Sequence, residues 1–401
     1  MDSIFSDRIA DVPRSFIREI LKVSLDPTII SFAGGLPNRE FFPVAELKTA
    51  TAKVFDTMGR DVLQYSMSEG FTGLREMIAR RYHDRQNLDI PVENILITNG
   101  SQQGLDLMGK TFINEGDNIV IEEPAYLGAI QAFSLYKPRF NSVLLTDEGM
   151  DINKFKSVMS ARKPKLIYTV PNFQNPSGIS FSERTRREMA GIIEGTSTLL
   201  IEDDPYGDLR YSGTDKSSFK VILPQNTILF GSFSKTISPG LRIGWIVAPH
   251  DIMEKLIVAK QAADLHTTHF TQYILWRYLK DNDIEKHVNI IKEAYSRQAR
   301  AMLNSIEKYF PQGVSHTIPE GGMFLWVTLP EGTSSRDLLD LALKDKVIFV
   351  PGDPFYVNRR NTNTLRLNFS CTDEATIDTG IRNLGEAMKQ LLNNRGTGVP
   401  A

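Results

Sequence analysis

Lys235 stands in the run Ser232-Phe233-Ser234-Lys235-Thr236-Ile237-Ser238-Pro239-Gly240-Leu241-Arg242, directly after an apolar segment that reads as a strand. Taken alone, a lysine is a solvated surface charge. At the end of a buried strand, with Arg242 returning across a Pro-Gly turn, its ammonium is disfavoured by burial and by a like charge, so it gives up its proton more easily. The neutral amine that results can attack an aldehyde. Arg242 is otherwise a strand-end surface arginine, but beside such an amine it suits a phosphate dianion. Asn99-Gly100-Ser101-Gln102 follows another strand candidate and opens a helix, offering backbone N–H groups, a hydroxyl and the positive end of the helix dipole. Ser101 as a plain helix N-cap is the alternative there. Together, these residues describe an anion pocket next to a reactive amine.

Asp203 ends the apolar run Thr198-Leu199-Leu200-Ile201-Glu202. A carboxylate at a buried strand end requires a cation, and a protonated pyridine nitrogen is one; the plainer reading is a turn aspartate in front of Pro205. Asn175, in Asn175-Pro176-Ser177-Gly178, and Tyr206 can each donate to a phenolic oxygen, or else serve as an Asx turn and a packed aromatic. Tyr126, in Glu123-Pro124-Ala125-Tyr126, can stack on a flat ring or sit in the core as an ordinary tyrosine.

These residues need a scaffold that gathers strand ends. Strand candidates are Ile95 to Thr98, Asn118 to Glu122, Ser142 to Leu145, Lys165 to Val170, Thr198 to Glu202, Thr227 to Gly231 and Arg242 to Ala248. They alternate with helical patterns such as Gln103 to Phe112 and Glu183 to Ile193, which predicts an α/β domain with a seven-stranded, mostly parallel sheet. Ligands in such sheets bind where the strands' carboxyl ends meet helix amino termini, and Asn99 to Gln102, Asn175 to Gly178 and Asp203 to Tyr206 fall there. After His250 the pattern changes to long helices, Ile252 to Gln261, Phe270 to Lys280 and Ile284 to Tyr309. Strand candidates Met323 to Leu329, Val347 to Val350 and Thr364 to Phe369, followed by a helix from Thr376 to Leu392, predict a smaller α+β domain.

Composition narrows the function. The 401 residues are 41% hydrophobic and 23% charged with a formal net charge of -2, an ordinary globular make-up without the basic excess that nucleic-acid binding needs. No stretch reads as a signal peptide or a membrane span, so a cytoplasmic protein with no membrane partner is expected. Cys371 is the one cysteine, which excludes an intramolecular disulfide; at the end of an apolar run it reads as a small core residue rather than a reactive thiol. The 6 histidines show no metal-ligand spacing, and no catalytic metal is expected.

In this order, these motifs resemble fold-type I pyridoxal-phosphate enzymes, the aspartate aminotransferase superfamily, and within it the group containing kynurenine/2-aminoadipate aminotransferases. The resemblance runs from Ser31-Phe32-Ala33-Gly34-Gly35-Leu36-Pro37 through Leu63-Gln64-Tyr65-Ser66 and the segments above to Leu365-Arg366-Leu367-Asn368-Phe369-Ser370. It implies pyridoxal 5'-phosphate joined as an imine to Lys235, with Asp203 on the pyridine nitrogen and Asn175 and Tyr206 on the phenolic oxygen. By the same resemblance Ser101, Gln102, Ser232, Ser234 and Arg242 hold the phosphate, Arg366 binds the substrate α-carboxylate with Asn175 and Gly35 also on the substrate, and Tyr65 reaches the phosphate of a neighbouring subunit, so that a homodimer shares its active sites. Arg18 matches an arginine on a mobile amino-terminal helix that contacts distal carboxylates; a solvent-facing helix arginine is the alternative. The implied division is 1–44 for an arm and part of the small domain, 45–291 for the large domain and 292–401 for the rest of the small one. The implied reaction is ping-pong amino transfer between an L-amino acid (2-aminoadipate, glutamate, aromatic or aliphatic) and a 2-oxo acid such as 2-oxoglutarate. A lyase on the same scaffold is the alternative within the superfamily. A DNA-binding regulator with an aminotransferase-like domain is the alternative outside enzymes, but Gly34-Gly35 comes too early in the chain to leave room for its extra domain.

Overall fold

Apolar segments buried along nearly their whole length set the architecture of the chain, whose computed structural model describes residues 4–10, 20 and 26–396. In chain order the strands are β1 (Ile30–Ser31), β2 (Ile95–Thr98), β3 (Asn118–Glu123), β4 (Arg139–Thr146), β5 (Gly149–Met150), β6 (Leu166–Thr169), β7 (Leu199–Asp203), β8 (Thr227–Ser232) and β9 (Gly244–Val247), followed by β10 (Ser315–His316), β11 (Phe324–Thr328), β12 (Val347–Ile348), β13 (Val350–Pro351) and β14 (Thr364–Asn368). The large sheet runs β2-β9-β8-β7-β6-β3-β4-β5. All the strands predicted for it are present. The sheet has 8 strands rather than seven because Gly149–Met150 folds back antiparallel on β4. Gly149 makes that return with φ +115, and a two-residue strand is too short to show an alternating pattern.

The strands β4, β3, β6, β7 and β8 are parallel neighbours, whereas β9 lies antiparallel between β8 and β2. Because both flank β9 in that sense, β2 and β8 point the same way, and the residues following β2, β3, β6, β7 and β8 all emerge on one edge. Arg242, just before β9, arrives at the same edge. Helices cover the sheet: Ser101–Phe112 buries Leu105, Leu107 and Met108, and Glu183–Ile193 starts where the Ser182 hydroxyl accepts from the Thr185 N–H.

Beyond the large sheet, β10-β11-β14-β13 form an antiparallel sheet, and the helices Ile284–Tyr309 and Glu374–Gly396 pack against each other beside it. Asp283 caps the first of these by accepting from the N–H groups of Glu285 and Lys286. The segment predicted as one strand over Val347 to Val350 divides at buried Phe349: β12 pairs with β1, and β13 pairs with β14. A continuous apolar run suits a chain that passes between two sheets as well as it suits a single strand. The β1–β12 pair, Ile30 with Val347, ties the early chain to the late chain. Among the described residues, no helix is long and apolar enough to cross a membrane.

Candidate active site

The converging strand ends enclose a cavity of about 460 Å³. Ser101 and Gln102 line it from the turn after β2, Tyr126 from the turn after β3, Asn175 from the loop after β6, and Asp203 and Tyr206 from the end of β7. Ser232, Ser234 and Lys235 reach it from β8, Arg242 from the turn before β9, Gly35 from the early chain, and Arg366 from β14. The chain therefore brings together twelve of the fourteen predicted site residues. The other two lie apart: Tyr65 is 78% exposed outside the cavity, and Arg18 falls outside the described residues.

Lys235 Nζ donates to the Gly35 carbonyl at 2.8 Å. Burial of the amine comes first in holding it down to about 8, with Arg366 the next cause and Arg242 a lesser one. The sequence pointed to Arg242 for this role; the more influential cation comes instead from β14, far away in the chain. Asp203 is buried, and Tyr168 donates its hydroxyl to Oδ2 at 2.8 Å while Oδ1 has no partner among the described residues. Burial pushes this carboxyl up to about 7. Sequence reasoning missed Tyr168, although its position on β6, beside the strand that Asp203 ends, was a usable signal.

Arg366 is buried and held firmly: Nη1 donates to Asn175 Oδ1 at 2.8 Å and Nη2 to the Ala33 carbonyl at 2.7 Å, with the Phe324 ring 4.5 Å from the guanidinium carbon. Its Nε has no partner. Burial lowers it to about 10. Asn175 also donates from Nδ2 to the Tyr206 hydroxyl at 3.4 Å. At the cavity's other end, Ser232 Oγ donates to Ser234 Oγ at 2.9 Å, and Arg242 Nη2 donates to the Asn99 carbonyl at 3.0 Å. Gly100, with φ +74, caps the helix there, so Ser101 is its first residue rather than its N-cap. A Cβ on Gly100 would lie 2.7 Å from Arg242 Nη2, so only glycine lets the guanidinium approach the helix end. Tyr126 and Gln102 are joined at the rim, hydroxyl to Oε1 at 3.4 Å.

Cys371, expected in the core, is exposed, and its Sγ donates to the Leu36 carbonyl at 3.0 Å. The reason is that β14 ends at Asn368 and burial continues only through Phe369 and Ser370.

The family model described as aminotransferase class I and II matches residues 29–384. The chain belongs to this family. An aromatic-amino-acid aminotransferase of Thermococcus litoralis is 40% identical to this aminotransferase over 97% of the chain and 95% of the relative. A 2-aminoadipate transaminase of Thermus thermophilus is 39% identical over 95% of each. Among solved structures, the kynurenine aminotransferase of Pyrococcus horikoshii superposes with a TM-score of 0.92 at 40% identity, covering 96% of this chain and 97% of that one. The fold is thus fold type I, and the cofactor of this aminotransferase is pyridoxal phosphate. The residues present fit that group: an unpartnered buried carboxylate oxygen on Asp203 suits a ring N–H, the proton-poor Lys235 suits an aldehyde, and Arg242 at an open helix end suits a phosphate.

Proposed function

We propose that this aminotransferase takes acidic and aromatic L-amino acids as donors and a 2-oxo acid such as 2-oxoglutarate as acceptor. The relatives named for aromatic amino acids, 2-aminoadipate and kynurenine support that range. Bound pyridoxal phosphate supplies an aldehyde to carry the amino group and a ring that accepts electrons. Arg366 grips the substrate α-carboxylate, with Gly35 beside it, and turns the Cα–H bond toward Lys235. Lys235 Nζ, which loses its own proton as pH rises through about 8, would take the Cα proton as general base and return it as general acid. Asp203 would hold the ring nitrogen's proton, Asn175 and Tyr206 would donate to the phenolic oxygen, and Tyr126 would stack on the ring. Ser101, Gln102, Ser232, Ser234 and Arg242 would bind the phosphate.

We assign Arg18 to the distal carboxylate of acidic substrates. We also infer a homodimer in which Tyr65 completes the partner's phosphate site, and a division into 1–44, 45–291 and 292–401, the last cut falling within the helix Ile284–Tyr309. Exposed Leu63, Tyr65 and Met67 sit beside exposed Leu265, with His266 edge-on to Tyr65 at 5.8 Å, an apolar patch that a second copy would cover. The amino-transfer reading rests chiefly on one observation, the unpartnered Asp203 oxygen in the same cavity as Lys235 and Arg366. Its test is half-reaction spectroscopy of the cofactor-loaded enzyme against a panel of amino acids. Acidic and aromatic donors should convert the cofactor fastest, and conversion by neither class would refute the proposal.

A further inference from the structure

Glu122, the penultimate residue of β3, is 1% exposed, and among the described residues its partners are neutral donors. Its Oε1 accepts from the Thr169 hydroxyl at 2.6 Å and from the Val170 N–H at 2.8 Å, and its Oε2 accepts from Gln174 Nε2 at 2.8 Å. A buried carboxylate without a counter-ion is costly, and an apolar side chain of similar size would serve packing as well. Gln174 is fully buried and uses its amide completely: Nε2 also donates to the Pro124 carbonyl at 2.8 Å, and Oε1 accepts from the Ser177 N–H at 2.8 Å.

The next residue is Asn175, which takes Arg366 on its oxygen and offers its nitrogen to Tyr206. Glu122 Oε2 and the Pro124 carbonyl accept on one side and the Ser177 N–H donates on the other, so together they set which way the Gln174 amide faces, and that amide in turn pins both ends of the loop carrying Asn175. Glu122 and Gln174, joined by a hydrogen bond, and Asn175 and Arg366, joined by another, thus form one buried line through the Gln174–Asn175 peptide from the sheet to the carboxylate-binding guanidinium.

We propose that Glu122 and Gln174 are positioning residues for amino transfer, a strut that fixes Asn175 and through it aims Arg366 at the substrate carboxylate and Tyr206 at the cofactor. The inference rests on the roles proposed above for Asn175 and Arg366. Glu122→Gln keeps the volume but sets N–H groups against N–H groups, and Gln174→Ala removes the strut. Both are tested as cofactor-saturated enzyme for the Kd of a Cα-methylated amino acid, which binds without reacting, for KM against kcat, and for the pH midpoint of the cofactor's visible absorption band.

Gln174→Ala should raise Kd and KM roughly tenfold and shift the midpoint, and Glu122→Gln should do so by about threefold. Should Gln174→Ala fail to fold, the near-isosteric Glu122→Gln decides alone. Normal binding and titration in a folded variant, with only a lower melting temperature, would overturn the strut. Asn175→Ala serves as the reference. If it moves both readouts while the strut variants move neither, only the strut is refuted; if it moves neither, the role of Asn175 falls and takes the strut with it.

Discussion

Tyr168 donates to one oxygen of the Asp203 carboxylate at 2.8 Å and leaves the other, also buried, with nothing to accept from among the described residues. A side chain held in that state is half of an interaction. The missing half is a donor, and under the function proposed above the ring N–H of the cofactor would supply it.

The first prediction follows from the sign of that shift. Burial raises the Asp203 carboxyl from 3.8 to about 7, so the folded, cofactor-free chain binds this proton more tightly than the unfolded chain does. Its contribution to stability is complete below the unfolded value and is lost as pH rises through about 7. Asp203→Asn should therefore flatten the fall in melting temperature of cofactor-free protein between these pH values. Glu122, also raised to about 7, adds a fall of the same sign, so the difference between variant and parent is the quantity to measure. Identical profiles would contradict the assignment.

Lys235 gives a second pH dependence. With the amine lowered from 10.5 to about 8, the rate at which cofactor-free protein captures pyridoxal phosphate should rise with pH and level off above about 8. Arg366 is the second cause of this lowering, after burial. In stopped-flow measurements, Arg366→Gln should move the midpoint upward, and an unmoved midpoint would show that the guanidinium does not act on the amine.

Arg366→Lys keeps the charge and loses the fork. The parent guanidinium is fixed by Asn175 and the Ala33 carbonyl, and a flexible ammonium cannot reproduce a two-point grip on a carboxylate. KM for the amino acid should rise by about ten- to a hundredfold, or roughly 1.4 kcal/mol for each tenfold. Steady-state kinetics with equal KM for the two enzymes would rule out this carboxylate site.

Much of this site was legible in the chain because residues next to a strand end inherit its position. Lys235, Asp203, Asn175 and Ser101 could be placed once the apolar runs were seen, and β5 was lost because two residues carry no period. What could not be read was contact between remote segments. Tyr168, Glu122 and Gln174 looked like strand and loop residues, and their function appears only when β3, β6 and β7 lie side by side. Arg366 acts on Lys235 across more than a hundred residues of chain, which no local spacing encodes, and so the nearer Arg242 was given the larger role. Cys371 was misplaced by a single turn, the apolar run having ended at Phe369.

The shared-site proposal can be tested by mixing two inactive proteins. Tyr65 is exposed and lies outside the cavity of its own chain, and the shared-site proposal assigns its effect to another copy. Lys235→Ala should be inactive because it lacks the reactive amine, and Tyr65→Ala should be strongly impaired through weak phosphate binding. When the two are unfolded together and refolded in equal amounts, half of the dimers are mixed, and each mixed dimer holds one site with both lesions and one with neither. Activity should return to about a quarter of the parent level, since closed two-fold symmetry leaves one intact site in half of the dimers. If Tyr65 acted within its own chain, each mixed dimer would carry one lesion per site and no intact site would form. Mixing would then restore nothing, and the exposed Tyr65 patch would have to be explained without a shared active site.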